Sequence, residues 1–318
     1  LKYGDKLLSV AGTPYDTMQE VIGTMGDEET RRSSLIGNGV LYDEVPLLNG
    51  TDIDFETLEK MVDDKTTMVL IQRSKGYSTR KSLTIETIEK ICKVVKFKNP
   101  NCICFVDNCY GEFVDSKEPT EVGADLMAGS LIKNPGGGIV EAGGYIAGKE
   151  LLVERAATRL TAPGIGSEGG AMFNQHRLMF QGFFMAPSVV ADAVKGAILA
   201  SKIFGEIGYD SSPKYNEKRT DIIQNITFGA PEPLEKFCRT IQSLSPINGY
   251  VTPIPEYIPG YEDQVIMAGG TFIEGSTIEL SADGPMRSPY VAYMQGGLNY
   301  SHVKIALTKF LDKINSKN

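Results

Sequence analysis

The sequence predicts an α/β fold: a mostly parallel sheet flanked by helices, followed by a smaller C-terminal α+β domain. Three observations carry that expectation. Short Val/Ile/Leu-rich runs alternate with helical patterns over the first two-thirds of the chain. Those runs lack polar alternation, which suits strands covered on both faces by helices. The last hundred residues lose the strict alternation and mix strands, helices and prolines.

The elements follow in order. Residues 6–11, 40–45, 67–72 and 103–107 read as strands. Between them, residues 55–62 and 85–95 carry i, i+3, i+4 apolar spacing, with Asp54 and Thr84 as N-caps. From Asp125 to Thr161 small residues dominate, including Gly136-Gly137-Gly138 and Gly143-Gly144. Such glycines let the backbone turn sharply or approach another group closely. An amphipathic helix is expected over about 187–207, with Pro187 in its first turn. The polar stretch 208–215 ends it, and the domain boundary is placed there: 1–212 for the large domain, 213–318 for the small one. In the small domain 222–227, 264–268 and 277–281 read as strands, and 233–244 and 302–314 as helices. Prolines 246, 253, 255 and 259 mark an extended connection.

Composition narrows the function. The 318 residues carry 32 basic and 40 acidic side chains, a formal charge of −8. That balance argues against nucleic acid and against an anionic membrane surface, both of which need clustered Lys and Arg. No apolar run approaches the roughly 20 residues of a membrane span. Five cysteines and two histidines fit neither a disulfide framework nor a zinc site, so no metal site is expected and a reduced, cytoplasmic compartment is. The chain opens at Leu1 in what reads as the middle of an element, and a preceding segment is expected to be missing.

The chemistry concentrates in two places. In Cys104-Phe105-Val106-Asp107-Asn108, an apolar strand ends in a carboxylate at the edge where open α/β sheets hold ligands. The plainer reading is an Asp that caps the next turn. Twenty-six positions on, Ser130-Leu131-Ile132-Lys133-Asn134-Pro135-Gly136 ends an apolar stretch in a lysine. Apolar surroundings favour the neutral amine that Schiff-base chemistry needs. A lysine reaching out to water from a strand end is the alternative. Gly136–Gly138 lacks the Gly-Lys-Ser/Thr ending of a nucleotide phosphate loop, and that reading is discarded. Cys109 has no histidine nearby in sequence, so packing is favoured over a nucleophile's role.

Together the two pieces resemble the fold-type I pyridoxal 5′-phosphate enzymes of cysteine and methionine metabolism. The resemblance implies that Asp107 pairs with the pyridinium nitrogen, Lys133 carries the cofactor and Ser130 binds its phosphate. Ile132 stands where that class often has Thr. Gly4-Asp5, followed by Thr13-Pro14-Tyr15-Asp16-Thr17, resembles another segment of the class and gives Tyr15 the role of stacking on the ring and assisting the leaving group. More closely, the chain is similar throughout to the methionine gamma-lyase-like, or aluminium-resistance, family. The words that carry this are Gln72-Arg73-Ser74-Lys75-Gly76-Tyr77, Lys133-Asn134-Pro135-Gly136-Gly137-Gly138, Gly143-Gly144-Tyr145, Arg287-Ser288-Pro289-Tyr290 and Gln295-Gly296-Gly297-Leu298. A phosphate-cradling loop of that family would precede Leu1. Arg287 is the expected grip on the substrate carboxylate, since a planar guanidinium holds a carboxylate bidentately; a surface ion pair is the alternative. Arg73 and Lys75 stand open between cofactor and a neighbouring subunit.

The resemblance implies a carbon–sulfur lyase acting on a sulfur-containing amino acid, by methionine gamma-lyase-like or cystathionine beta-lyase-like elimination, and a homodimer or homotetramer. The alternatives are another reaction on the same cofactor, such as an aminotransferase or racemase, or a non-catalytic protein of metal tolerance.

Overall fold

The computed structural model describes residues 1–78, 80–170 and 172–315. It divides the chain into two compact units: residues 1–109, 116–129 and 144–174 in one; 110–115, 130–143 and 175–318 in the other.

The first unit is built on a six-stranded sheet. Its strands are β1 (Lys6–Ser9), β2 (Leu41–Glu44), β5 (Thr66–Gln72), β6 (Ile103–Asp107), β7 (Leu126–Ser130) and β8 (Gly144–Gly148), in the order β2-β1-β5-β6-β7-β8. The pairs β1–β2, β1–β5, β5–β6 and β6–β7 are parallel. Two short strands, β3 (Leu47–Leu48) and β4 (Asp52–Ile53), pair separately. The helices are α1 (Asp16–Ile22), α2 (Glu28–Ser33), α3 (Phe55–Met61), α4 (Ile85–Lys98) and α5 (Glu150–Leu160). The sequence pattern picks out α3 and α4 but not α1, α2 or α5.

The two-residue period of the strands explains the layers. Leu8, Val69, Ile71, Cys104 and Val106 share a core with Leu58, Ile88, Ile91 and Val95 of α3 and α4. Leu7 and Leu70 point to the opposite face, where they pack with Ile22, Met18 and Phe105. Asp54 and Thr84 cap their helices as expected: Asp54 accepts from the Thr57 amide at 2.9 Å, and Thr84 from the Thr87 amide at 3.1 Å.

Asp125 ties three elements together. It is 3% exposed, and its carboxylate meets Lys96 at 2.7 Å, Lys149 at 2.5 Å and the amide of Cys104 at 2.8 Å. Burial pushes this carboxyl up, but the two ammonium groups and the amide more than reverse that, and its pKa lies below the usual value. A depressed folded-state pKa adds stability above about pH 4 that is lost as the pH falls through the folded value. Asp125→Ala is expected to cost about 2–3 kcal/mol at pH 7 in urea unfolding, below the full cost of breaking a buried pair because both lysines reach water. The gap between variant and parent should narrow in acid; a constant gap from pH 7 to pH 3 would contradict the ion-pair account.

The second unit holds a five-stranded antiparallel sheet in the order β11-β12-β13-β10-β9. These are β9 (Asp210–Ser212), β10 (Gln224–Thr227), β11 (Val265–Ala268), β12 (Ser281–Pro285) and β13 (Val291–Gln295), with helices α6 (His176–Glu206), α7 (Pro231–Ser243) and α8 (Tyr300–Asn315). Ile226, Ile266, Ala268, Ala282, Ala292 and Met294 form one face and pack with Phe204, Phe237 and Phe310 of the three helices.

Three expectations need correction. Helix α6 begins eleven residues before Pro187, which therefore lies inside it. Proline removes one helical hydrogen bond, and the packing of Ala186, Val190, Ala193, Ala197 and Ala200 in this unit outweighs that loss. The expected strand 277–281 starts only at Ser281, and β13 was not anticipated. Finally, α6 is long and apolar enough to cross a membrane by length and composition, contrary to the sequence reading. One face of it packs within this unit, while Phe180, Phe183 and Phe184 are exposed and Lys195–Asp192 and Lys202–Glu206 form ion pairs at its surface.

Candidate active site

In the first unit the site is set by sheet order. Strand β1 has β2 on one side and β5 on the other, so the winding direction reverses between β1 and β5. A crevice for ligands opens at the carboxyl ends of the strands at such a point. Tyr15 lies just past β1, as the residue preceding α1. Its amide donates to Oε1 of Gln72, the last residue of β5, at 3.0 Å. Gln72 in turn stands in register with Asp107, the last residue of β6. Tyr15 and Asp107 are thereby brought to the same edge of the same sheet. A Cβ on Gly76 would come within 3.1 Å of the Tyr15 Cβ, and Gly76 has φ +58°, so this turn closes tightly over the tyrosine.

Asp107 accepts one bond on Oδ1, from the Cys109 amide at 3.2 Å, as a turn-capping carboxylate does. Its Oδ2 has no hydrogen-bond partner among the described residues, and it remains an acceptor at the sheet's edge. Below it lies a buried polar network that sequence reasoning missed. Asn108 is fully buried; its Oδ1 accepts from Arg73 Nη1 at 2.7 Å, and its Nδ2 donates to Glu118 at 2.9 Å and to the Tyr145 hydroxyl at 3.2 Å. Arg73 is also fully buried and lies 3.5 Å from Glu118. Arg80 donates to the carbonyls of Gln72 and Ser74 at 2.9 and 2.8 Å. Buried charge is costly unless paired and hydrogen-bonded, and here both conditions hold. The signals in the sequence were the adjacency of Asn108 to Asp107 and the place of Arg73 and Tyr145 in the words shared with the family, none of which told that these side chains meet.

In the second unit, Ser130 and Lys133 form one tight turn. Ser130 Oγ accepts from the Ile132 amide at 3.2 Å, and the Lys133 amide donates to the Ser130 carbonyl at 3.3 Å. The Lys133 ammonium sits over the Tyr110 ring, 4.3 Å from its centroid, an electrostatically favourable place for a cation. Asn134 follows and is fully buried. Its Nδ2 donates to the carbonyls of Tyr110 and Glu112 at 3.0 and 2.9 Å, while its Oδ1 has no partner among the described residues. Tyr110 and Phe113 hold φ of 71° and 61°. Non-glycine residues held there cost free energy, and they persist where the surroundings over-determine them. The asparagine ties down the backbone of the turn that carries the ring.

The glycines after the lysine serve packing on a helix. A Cβ on Gly136 would lie 1.8 Å from the Leu131 carbonyl oxygen, and one on Gly182 of α6 would lie 2.2 Å from the Gly136 carbonyl oxygen. Gly136→Ala is expected to cost about 1–3 kcal/mol, since the obstruction is backbone and cannot swing aside. Chemical denaturation reads this directly, and an unchanged midpoint would show that the turn is slack.

Arg287 lies between β12 and β13, about half-exposed, with Nη1 2.8 Å from Asp263 Oδ2. Lys75 is 2% exposed. All five cysteines are unpaired; Cys109 is partly exposed and the other four are buried. Among the described residues no group of three or more His, Cys, Asp or Glu is placed to hold a metal.

Residues 1–315 match the family model described as methionine gamma-lyase. A Bacillus subtilis protein, YnbB, described as uncharacterized, is 50% identical over 317 residues, which is all of this chain and 75% of that one. A Listeria monocytogenes structure, described as a candidate cystathionine beta-lyase involved in aluminium resistance, is 51% identical with a TM-score of 0.95, over 99% of this chain and 77% of that one. A Clostridium novyi structure, described as a carbon-sulfur lyase involved in aluminium resistance, is 49% identical with a TM-score of 0.92, over 99% and 73%. The Corynebacterium glutamicum metB structure, 14% identical with a TM-score of 0.62, shares the fold.

Proposed function

The chain belongs to the methionine gamma-lyase family, and on that premise we propose that it is a pyridoxal-phosphate-dependent carbon–sulfur lyase acting on a sulfur-containing amino acid. The observation that supports this most is the lysine: Lys133 ends a Ser-x-x-Lys turn, sits over an aromatic ring, and is followed by a buried asparagine bonded to the backbone of that ring's residue.

The residues suit the cofactor chemically. Asp107 offers a carboxylate oxygen without a partner among the described residues, suited to accept from a protonated pyridine nitrogen. Ser130 carries a hydroxyl at the turn, suited to a phosphate oxygen. When bound, pyridoxal phosphate supplies an electron sink for the bonds at the substrate's α-carbon. The protein's part is proton management and orientation. Lys133 takes the proton from the α-carbon and returns it later, a transfer worth about 10²–10⁴-fold. Tyr15 stacks on the ring and gives a proton to the departing sulfur. Arg287 turns from Asp263 to the substrate carboxylate.

Product analysis tests the reading. Pyruvate with a thiol from cystathionine identifies β-elimination, and 2-oxobutanoate with a thiol from methionine identifies γ-elimination. An oxo acid that retains the whole side chain would mean transamination, and recovery of the opposite enantiomer racemisation. We also propose a homodimer or homotetramer in the cytoplasm, the setting that five unpaired thiols favour; sedimentation velocity reads the assembly.

A further inference from the structure

The first half of α6 is apolar on every side. Residues 178–191 include no Asp, Glu, Lys, Arg or His. Gly182, Ala186, Val189 and Val190 are buried, yet Phe180, Phe183 and Phe184 are 75%, 57% and 82% exposed. A helix at a protein surface carries polar residues on its outer face, and one that is apolar all round is covered all round. The described residues supply a cover for one side only. At about 200 Å² per aromatic side chain, the three rings leave about 400 Å² of apolar surface open, and contiguous patches of that size mark contact surfaces.

This face adjoins the lysine turn. A Cβ on Gly137 would lie 2.5 Å from the Gly182 carbonyl oxygen, so the backbone of α6 rests on the residues that follow Lys133. The Phe183 ring meets that of Phe113 edge-on, with centroids 5.3 Å apart. Phe113 belongs to the same short segment, 110–115, as the Tyr110 ring over which the Lys133 ammonium sits.

We propose that Phe180, Phe183 and Phe184 form the surface on which a second copy of this chain docks, by antiparallel pairing of two α6 helices about a two-fold axis. The proposal names the surface of the assembly proposed above and rests on none of the lyase chemistry. Three features fit a second copy. The face is complementary to itself, as a two-fold contact requires. Phe180, Phe184, Pro187 and Ala191 follow at helical spacing along the exposed side, over about 17 Å. Reversing this stripe against itself sets Phe180 opposite Ala191 and Phe184 opposite Pro187, a large side chain against a small one at each level. The area also suffices. Two copies bury about 800 Å² from the rings alone, and the exposed Met185, Pro187, Ser188 and Ala191 bring the contact to the roughly 1,000 Å² of a specific interface. Finally, each copy carries a formal charge of −8, so two copies repel, and a face without charge is where they can meet.

The chain contains no tryptophan, so Phe184→Trp places a single indole on this face and keeps the face apolar. Its emission should be that of a buried indole in concentrated protein. On dilution it should shift to that of an indole in water, in step with the loss of mass seen by sedimentation velocity. Phe180→Glu and Phe184→Glu should each halve the sedimenting mass where the parent is assembled. Each should raise the dissociation constant at least about thirtyfold, the effect of losing one dominant interface residue. Ile305→Glu, at an exposed position of α8, should leave the mass unchanged. If the glutamate variants do not fold, as judged by circular dichroism, the Phe184→Trp emission decides alone. A parent that stays monomeric, an assembly that both glutamate variants leave intact, or an indole in water at every concentration would overturn the proposal. The first result also removes the assembly proposed above, whereas the other two move it to another face. Parent protein that floats with phosphatidylcholine vesicles, where Phe184→Glu does not, would overturn it by giving this face to lipid.

Discussion

Lys133→Ala is expected to abolish both the visible absorbance of the cofactor-loaded protein and its turnover. The two losses have separate causes, which makes the experiment strong. The absorbance depends on the covalent link between the lysine amine and the cofactor, and an alanine cannot form it. Turnover depends on the same amine moving the α-proton, and removing such a group typically costs about 10²–10⁴-fold. Borohydride treatment of the parent protein followed by peptide mass analysis should place the added mass on Lys133. Absorbance that survives in the alanine variant, or a modified peptide elsewhere in the chain, would remove the assignment. The fold itself should be indifferent, because the Asn134 contacts to Tyr110 and Glu112 that shape this turn are to backbone carbonyls.

Asp107→Ala is expected to leave cofactor bound and to remove most of the rate. The carboxylate is proposed to keep the pyridine nitrogen protonated, and a fixed charge aimed at a developing one is worth about 10²–10³-fold in other enzymes. Asp107→Asn should behave like the alanine variant, since an amide has the shape but not the charge. A loss confined to KM, with kcat intact, would mean that the residue only helps to seat a ligand. Neither variant should perturb the Arg73–Asn108–Glu118 network, which is reached through the next residue and the opposite side of the strand end.

The sheet was legible because its physics is local to each strand. Residues 67–72 and 103–107 are apolar on both faces, and the helices that cover them announce themselves through Asp54 and Thr84. Tyr15, Ser130 and Lys133 were singled out by their spacing and by likeness to a family. The buried polar residues were not. Asn108 and Arg80 look like any surface polar residue in a sequence, and Arg73 and Asn134 stand in words shared with a family that do not tell of burial; only three-dimensional packing shows that water is excluded around all four. Helix α6 was misjudged for a related reason: the residues before Pro187 include Phe180, Phe183 and Phe184, which are exposed here and blur the periodic stripe.

The meeting of Gly136 with Gly182 carries a lesson for how such a chain can drift. Two stretches of main chain rest against each other there, with no room for even one methyl on either partner. Exhaustive substitution should therefore find a pair of intolerant positions, forty-six residues apart, that bear no reactive atom. Their silence in any assay of chemistry, together with their refusal of every other amino acid, would set a purely spatial demand apart from a chemical one.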